Sequence, residues 1–176
     1  MRLSHTKGDK MDLKETLEFY GITSIWHFTD RSNLDSIEKY GLLSLETLTK
    51  KDIAVPCFGA DELSHSLDRH LGLDKYVHLA IISEHPMQYV KTRSGEIPNP
   101  VWLEIDISVL FENESLCCNQ VANKTGAICY DIEDIDKVID LKSLLTNYSW
   151  SNPVRKSELL VANRIDLSKI KGVCYG

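Results

Sequence analysis

The sequence predicts a single α+β domain, and three observations lead to that prediction. The chain has 176 residues, a length that fits one domain. Hydrophobic residues make up 43% and charged residues 26%, which excludes collagen-like and wholly disordered chains. Short strand-like segments are mixed with scattered short helix-like segments, and no β-α-β unit repeats. We expect residues 12–176 to form this domain and residues 1–11 to be a flexible tail.

The first quarter of the chain predicts two helices with a strand between them. Apolar residues at helical spacing predict a helix over about 12–20, which ends at Gly21. The β-branched and aromatic residues of 22–28 predict a strand. A second helix then follows a turn and ends at Gly41.

The remaining chain predicts further short elements of both kinds. Residues 42–60 and 115–130 predict loops, the latter with short strands. The other expected elements are helices at 61–71, at 86–90 and at 131–146, and strands at 76–82, 101–107, 158–161 and 170–174.

Cysteine and motif patterns exclude several classes of protein. The five cysteines are odd in number and contain no C-x-x-C pair, so we expect reduced thiols, no disulfide framework and no zinc site. The chain also lacks G-x-G-x-x-G, G-x-x-x-x-G-K-[ST], H-E-x-x-H and G-x-S-x-G. These absences leave P-loop, common dinucleotide-fold, zinc-protease and serine-hydrolase functions unsupported.

Charge is unevenly distributed along the chain. Twenty basic and 26 acidic residues give a formal charge of −6, which argues mildly against binding nucleic acid through bulk charge. Residues 150–176 nevertheless hold five cations and two acids, which could form either a positive patch or a solvated face. Apolar runs are far shorter than the roughly 20 residues of a membrane span, and the N-terminal residues lack a signal-peptide core. We therefore expect a cytoplasmic protein.

A polar cluster follows the first predicted strand. His27 ends that strand, Thr29 lies in the turn and Asn33 begins the next helix. Such side chains at a strand-to-helix junction can orient a ribose or an amide by short hydrogen bonds. A buried structural imidazole and a helix cap are the alternatives for His27 and Asn33.

Two charged residues farther along are candidates for chemistry. Arg69 could bind a diphosphate, because guanidinium binds phosphate oxygens in a bidentate manner, or it could be an exposed ion-pair partner. Glu158 opens an apolar strand beside Arg155 and Lys156. Burying an unpaired carboxylate is costly, so Glu158 needs either a partner such as Arg155 or a function.

Taken together, these segments resemble the DarT family of bacterial toxins, which are NAD-dependent ADP-ribosyltransferases that modify bases of nucleic acid. The resemblance spans about residues 22–174. The matching segments, in chain order, are His27-x-Thr29, Asn33-Leu34, Gly41-Leu42, Tyr76-Val77 ahead of Pro86-Met87, Ala122-Asn123 and Glu158-x-Leu160-Val161. The resemblance implies a split, mostly antiparallel ADP-ribosyltransferase sheet with short flanking helices.

The resemblance also implies a role for individual residues. Glu158 matches the catalytic glutamate of the family, and Arg69 is the candidate for a catalytic and phosphate-binding arginine. The family's arginine normally lies farther ahead of the Tyr-Val strand, where this chain has none. The residues expected to bind NAD, the co-substrate, are His27, Thr29, Asn33, Leu42, Tyr76 and Arg69. No metal is implied.

The expected reaction transfers ADP-ribose to a base of single-stranded nucleic acid, DNA being favoured over RNA, and releases nicotinamide. Single strands are expected because pairing hides the reactive edge of a base. The residues expected to contact this substrate are Asn123, Trp150, Arg155 and Lys156. A macrodomain antitoxin is an implied partner. Two alternatives remain: a protein side chain as acceptor, or a non-catalytic module that binds NAD or another ligand.

Overall fold

The computed structural model describes residues 11–58 and 62–175, which fold as nine strands and eight α-helices. The strands are β1 (Ser24–Asp30), β2 (Leu42–Leu43), β3 (Tyr76–Ala80), β4 (Pro100–Asp106), β5 (Ser115–Cys118), β6 (Cys129–Asp131), β7 (Glu158–Ala162), β8 (Arg164–Ile165) and β9 (Ile170–Tyr175). The helices are α1 (Leu13–Phe19), α2 (Leu34–Tyr40), α3 (Leu45–Lys50), α4 (Glu62–Leu71), α5 (Pro86–Arg93), α6 (Val109–Glu112), α7 (Ile135–Val138) and α8 (Leu141–Thr146). The predicted flexible tail lies outside the described residues except for Met11.

Seven of these strands form one antiparallel sheet in the order β6-β5-β7-β3-β1-β4-β9. Strands β2 and β8 form a second, two-stranded sheet. None of the described helices is long and apolar enough to cross a membrane. The arrangement confirms the predicted α+β class with a mostly antiparallel sheet.

The large sheet is divided between β1 and β3. Along the described chain these two strands pair at one position, where Trp26 lies opposite Ala80. On its other side β1 pairs with β4 over seven successive residues, so β1 belongs mainly to the half of the sheet that contains β4 and β9. Because β1 leaves β3 beyond Trp26, the polar and aromatic side chains of both strands line a gap.

One face of the sheet is covered by helices and forms the main core. Ile25, Leu103 and Leu159 are at most 1% exposed and pack in one cluster. Helix α1 adds Leu13 and Leu17, which lie four residues apart and therefore on one side of the helix. Burial of these side chains stabilises the fold by roughly 1.5–3 kcal/mol each.

A sharp turn at Gly41 joins the two sheets. Gly41 has a φ of +79°, and a Cβ atom there would lie 2.6 Å from the carbonyl oxygen of Ile165. Only glycine therefore fits where the chain leaves α2 and pairs with β8. This close approach is the physical reason that position 41 of the Gly41-Leu42 segment is a glycine.

Two predicted regions differ from the structure. Residues 42–60 were expected to be a loop but contain β2 and α3, which Ser44 caps by accepting a hydrogen bond from the N–H of Thr47. The predicted helix at 131–146 is instead a 3₁₀ turn followed by α7 and α8. The chain breaks at Ile139, which is extended, and the Asp140 side chain starts α8 by accepting from the N–H of Ser143.

The expectation of five reduced cysteines is corrected by a disulfide between Cys118 and Cys129. The two residues lie directly opposite each other in the antiparallel β5–β6 pair, with their Cα atoms 4.2 Å apart. Sequence spacing contained no sign of this pairing, because strand register and not separation along the chain brings the two side chains together. Cys57, Cys117 and Cys174 are free thiols.

Candidate active site

The gap between β1 and β3 opens into a cleft with a volume of about 490 Å³, within the size range of small-molecule sites. Residues 26–29 of β1 line one wall, and residues 76–80 of β3 with Glu158 line the other. The segment after α2 and helices α3, α4 and α5 close the remaining sides. His27 and Glu158, which the sequence placed far apart, therefore share one cavity.

Glu158 is the buried carboxylate of this cleft. It begins β7 directly opposite Ala80 of β3, and its side chain is 12% exposed. Its Oε2 atom accepts a hydrogen bond from the N–H of Ala122 at 3.0 Å and contacts Nδ1 of His78 at 3.2 Å. Burial favours the neutral acid, but the hydrogen bond and charge of His78 hold the pKa of Glu158 below its usual value. Glu158 is thus an anion in a largely enclosed site.

His78 lies two residues before Ala80 on the same face of β3, so it is the diagonal neighbour of Glu158 across the strand pair. Burial opposes its protonation. The hydrogen bond to Glu158 and the negative charges of Glu158 and Asp68 outweigh that effect, so the pKa of His78 is raised. The raised pKa favours the protonated form of His78, which then faces the Glu158 carboxylate as a charged donor.

His27 is held in the opposite protonation state. Burial lowers its pKa to about 4, so the ring is neutral at physiological pH. Its Nδ1 lies 2.9 Å from the carbonyl oxygen of His78, and a carbonyl only accepts. The proton must therefore be on Nδ1, which leaves Nε2 as an acceptor. The side chain bridges the two separating strands and offers a lone pair to a ligand.

Thr29 and Asn33 brace the wall of the cleft. The Nδ2 atom of Asn33 donates to Oγ1 of Thr29 at 2.9 Å and to the carbonyl of Cys57 at 2.6 Å. Its Oδ1 atom accepts from the N–H of Cys57 at 3.0 Å. These bonds fasten the segment after α3 to the start of α2. Asn33 makes no side-chain capping bond, so bracing this segment, and not capping the helix, accounts for its amide.

Leu42 and Tyr76 both line the cleft. Leu42 is 6% exposed and supplies apolar surface from β2. The Tyr76 hydroxyl donates to Oε1 of Glu114 at 2.6 Å, so its ring is the part that lines the cleft. Both residues offer shape and apolar contact more than polar recognition.

The loop at 119–128 contributes Asn123 and Lys124 to the cleft. The Nδ2 atom of Asn123 donates to Oδ1 of Asp68 at 3.1 Å, which ties this loop to α4. Burial raises the pKa of Asp68. Among the cleft-lining residues in the described ranges, the lysines are Lys91, which is paired with Glu96, and the exposed Lys124.

Arg69 does not line the cleft, which corrects its expected place beside the cofactor. It is exposed on α4, whereas Asp68 is buried and faces the cavity. Successive residues of an α-helix are turned by about 100°, so orienting Asp68 inward turns Arg69 away.

Arg155 is also placed differently from the expectation that it contacts substrate. Its side chain is 2% exposed, and Nη2 donates to the carbonyl of Glu84 at 3.1 Å and to its carboxylate at 3.2 Å. Its guanidinium lies 5.3 Å from the ring centroid of Trp150. Arg155 is therefore a buried support and not an open binding group. Lys156 beside it is exposed and lies outside the cleft.

Trp150 forms an exposed aromatic platform with Tyr89. Both side chains are 58% exposed, and their ring centroids lie 6.4 Å apart. Tyr89 belongs to α5, which also lines the cleft through Met87 and Lys91. The aromatic platform therefore lies on the outer side of an element that forms the cleft.

Sequence reasoning gave no role to His78, His85 or Asp68. The available signal was the number of histidines, since four of the five in the described ranges line the cleft. His85 caps α5, where its Nδ1 accepts from the N–H of Met87. Burial lowers the pKa of His85, so its ring is neutral.

The divided antiparallel sheet and the buried glutamate in its gap agree with the ADP-ribosyltransferase fold that the resemblance implied. The family model described as "ssDNA thymidine ADP-ribosyltransferase, DarT" matches residues 26–176. The chain therefore belongs to the DarT family. Membership confirms the expected class of enzyme, an NAD-dependent ADP-ribosyltransferase, and NAD as its co-substrate.

Solved structures of the family share this fold. Thermus sp. 2.9 DarT in complex with ADP-ribosylated ssDNA superposes with a TM-score of 0.71 at 16% identity, over 89% of this chain and 83% of that one. The complex of Thermus sp. 2.9 DarT with NAD⁺ gives a TM-score of 0.61 at 17% identity, over 86% of this chain and 81% of that one. Thermosipho africanus DarTG in complex with ADP-ribose gives 0.68 at 17% identity, over 86% of this chain but 43% of that one. None of the curated protein sequences compared with the chain matches it.

Proposed function

We propose that this protein transfers ADP-ribose from NAD to a thymine base of single-stranded DNA and releases nicotinamide. The observation that supports it most is the anionic Glu158 in a cleft that also contains the neutral His27. One side chain can stabilise positive charge and the other can accept a hydrogen bond without adding charge.

In the reaction the bond between nicotinamide and C1′ of the ribose breaks, and nicotinamide leaves with the electron pair. The ribose becomes oxocarbenium-like, and the Glu158 carboxylate stabilises that charge where little water competes. A ring nitrogen of the base forms the new bond to C1′ and loses its proton to Glu158. Placing acceptor and leaving group in line completes the contribution of the protein.

Residues along the cleft suit the parts of NAD. Nε2 of His27 can accept from the carboxamide N–H, and Asn33 with Thr29 fixes the adjoining wall. Leu42 and the ring of Tyr76 offer apolar contact to the nicotinamide or adenine. Lys124 is the exposed cleft-lining cation of the described chain, and we assign the diphosphate to it instead of Arg69.

The acceptor strand is proposed to cross the aromatic platform. Base stacking on tryptophan and tyrosine is worth about 1–3 kcal/mol per base and tolerates any sequence. Lys156, exposed in the turn beside Trp150, is available to a phosphate. We assign Asn123, which lines the cleft, to contact with the target base.

The test is intact-mass measurement of oligonucleotides after incubation with NAD. Single-stranded DNA that contains thymine should gain one ADP-ribose unit, and the same strand with every thymine replaced by cytosine should not. Modification of both strands would exclude thymine as the specific acceptor. Modification of added protein, with every oligonucleotide unchanged, would overturn the proposed function in favour of a protein acceptor.

The proposed location is the cytoplasm, where NAD and DNA are both present. The proposed partner is an antitoxin with a macrodomain. The Thermosipho DarTG chain is more than twice as long as the segment that this protein covers. A purified macrodomain from such a system should remove the added mass from the modified oligonucleotide. If the added mass remains, the proposed antitoxin partner is contradicted, whereas the proposed transferase activity is not.

A further inference from the structure

We propose that His78 is a positioning residue, which holds one oxygen of Glu158 and thereby directs the other oxygen to the ribose and the incoming base. This inference deepens the proposed function and rests on it. His78 itself contacts neither substrate and acts through Glu158.

The contacts of the carboxylate support this role. In the described chain both hydrogen bonds to Glu158 end on Oε2, one from the N–H of Ala122 and one from Nδ1 of His78. Oε1 is therefore the oxygen that remains for a ligand. The two donors come from different elements, a loop and a strand, so together they fix the plane of the carboxylate.

His78 is itself fixed by its surroundings. Its strand pairs with β7 over five successive positions, from Tyr76 opposite Ala162 to Ala80 opposite Glu158. Its backbone carbonyl accepts from His27, so the residue whose imidazole contacts the carboxylate also holds the proposed nicotinamide contact through its main chain. One residue thus joins the two polar groups of the cleft.

Charge favours the same arrangement. The titratable groups around His78 are Glu158 on β7, Asp68 on α4 and His27 on β1, and the carbonyl of Leu73 also favours a protonated ring. His27 is neutral, whereas the two acids attract an imidazolium. A charged donor makes a stronger hydrogen bond to a carboxylate than a neutral one does.

Three variants separate positioning from packing. His78→Leu removes the donor, His78→Asn keeps a neutral donor near Nδ1, and His70→Asn alters an exposed histidine outside the cleft. We expect kcat for transfer to fall about 100-fold in His78→Leu and about tenfold in His78→Asn, because small misplacements of a catalytic group cost about that much. The KM for NAD should change less than about threefold, and His70→Asn should match the unsubstituted protein.

The pH profile of kcat gives a readout that packing alone would not move. In the unsubstituted protein kcat should rise as Glu158 loses its proton and fall at higher pH as His78 loses its own. In His78→Asn the fall at high pH should vanish. The rise should move to higher pH, because no imidazolium then lowers the pKa of Glu158.

Titration of the imidazole by ¹⁵N NMR tests the pair without using activity. The pKa of His78 should lie above 6.5 in the unsubstituted protein and fall in Glu158→Gln. Transfer by the unsubstituted protein with an unchanged profile in a folded His78→Asn would overturn the inference. Absence of any transfer would contradict the proposed function instead. In that case, a His78 pKa that is the same in Glu158→Gln as in the unsubstituted protein would still overturn the pairing of His78 with Glu158.

Discussion

The floor and the rim of the cleft are built differently. The floor consists of His27, His78 and Glu158, which come from adjacent strands and are linked to one another by hydrogen bonds. The rim consists of Asn123, Lys124 and the aromatic platform, which come from loops, a turn and a helix surface. Ladder register fixes the floor, whereas a few side-chain bonds hold the rim. Chemistry is therefore expected from the floor, and recognition of the acceptor from the rim.

Removing a floor residue should have the largest effect. In His27→Leu the carbonyl of His78 loses its donor and NAD loses an acceptor. An unsatisfied buried polar group costs about 1–3 kcal/mol, and 1.4 kcal/mol is a factor of ten, so kcat/KM for NAD should fall about 100-fold. Steady-state rates with an excess of oligonucleotide measure this. A decrease in kcat/KM of less than threefold would mean that NAD does not bind through His27.

The buried support of the rim should matter for stability more than for chemistry. Arg155→Met keeps most of the volume but removes the bonds to Glu84. We expect the free energy of unfolding to fall by about 2 kcal/mol, since hydrogen bonds that involve a charged group contribute about 1.5–3 kcal/mol. Urea unfolding measures it, with the exposed Lys156→Met as the control. Equal stability of the two variants would show that Arg155 does not anchor the rim.

The aromatic platform should affect the acceptor and leave NAD unaffected. Trp150→Ala should raise the KM for the oligonucleotide about tenfold, as expected for the loss of one stacked base. The KM for NAD should stay the same. Phe19→Ala, which alters a 71% exposed ring on α1, is the matched control. If both aromatic variants behave alike, the strand does not cross Trp150.

The smallest effect is expected at Arg69. Because this side chain is exposed and outside the cleft, Arg69→Ala should change kcat/KM less than about threefold, as is usual for a surface charge. Lys124→Ala, measured under the same conditions, should weaken the binding of NAD more than Arg69→Ala does. The reverse order would restore Arg69 as the diphosphate residue and would require α4 to turn when NAD binds.

Local patterns predicted most of the fold. The segments of β1, β3, β4, β7 and β9 were indicated as strands because they are rich in β-branched and aromatic residues, alternate, or are continuously apolar. The split at Ile139 was missed, since an apolar helical pattern does not reveal where a cap begins a new helix. The short strands β2 and β8 were missed because two residues carry no sequence period and are defined as strands only by their pairing with each other.

The site was predictable where chemistry and local sequence coincide. Glu158 was found because burying a carboxylate at the start of an apolar strand is costly without a partner or a function. His27 was found because it was expected to end a strand before a polar turn, although β1 continues to Asp30. His78 was passed over, since its pairing with Glu158 depends on register between β3 and β7. Arg155 was assigned to substrate because sequence does not distinguish a buried cation from an exposed one.

The role of the cleft carboxylate is tested by Glu158→Gln, which keeps the shape of the side chain and removes its charge. NAD binding by calorimetry and transfer to thymine-containing DNA are measured on the same preparation. We predict a Kd for NAD within about threefold of the unsubstituted protein and transfer slowed by about 1000-fold, because the charge acts on the transition state. Transfer at the unsubstituted rate would show that the cleft carboxylate does not perform the reaction.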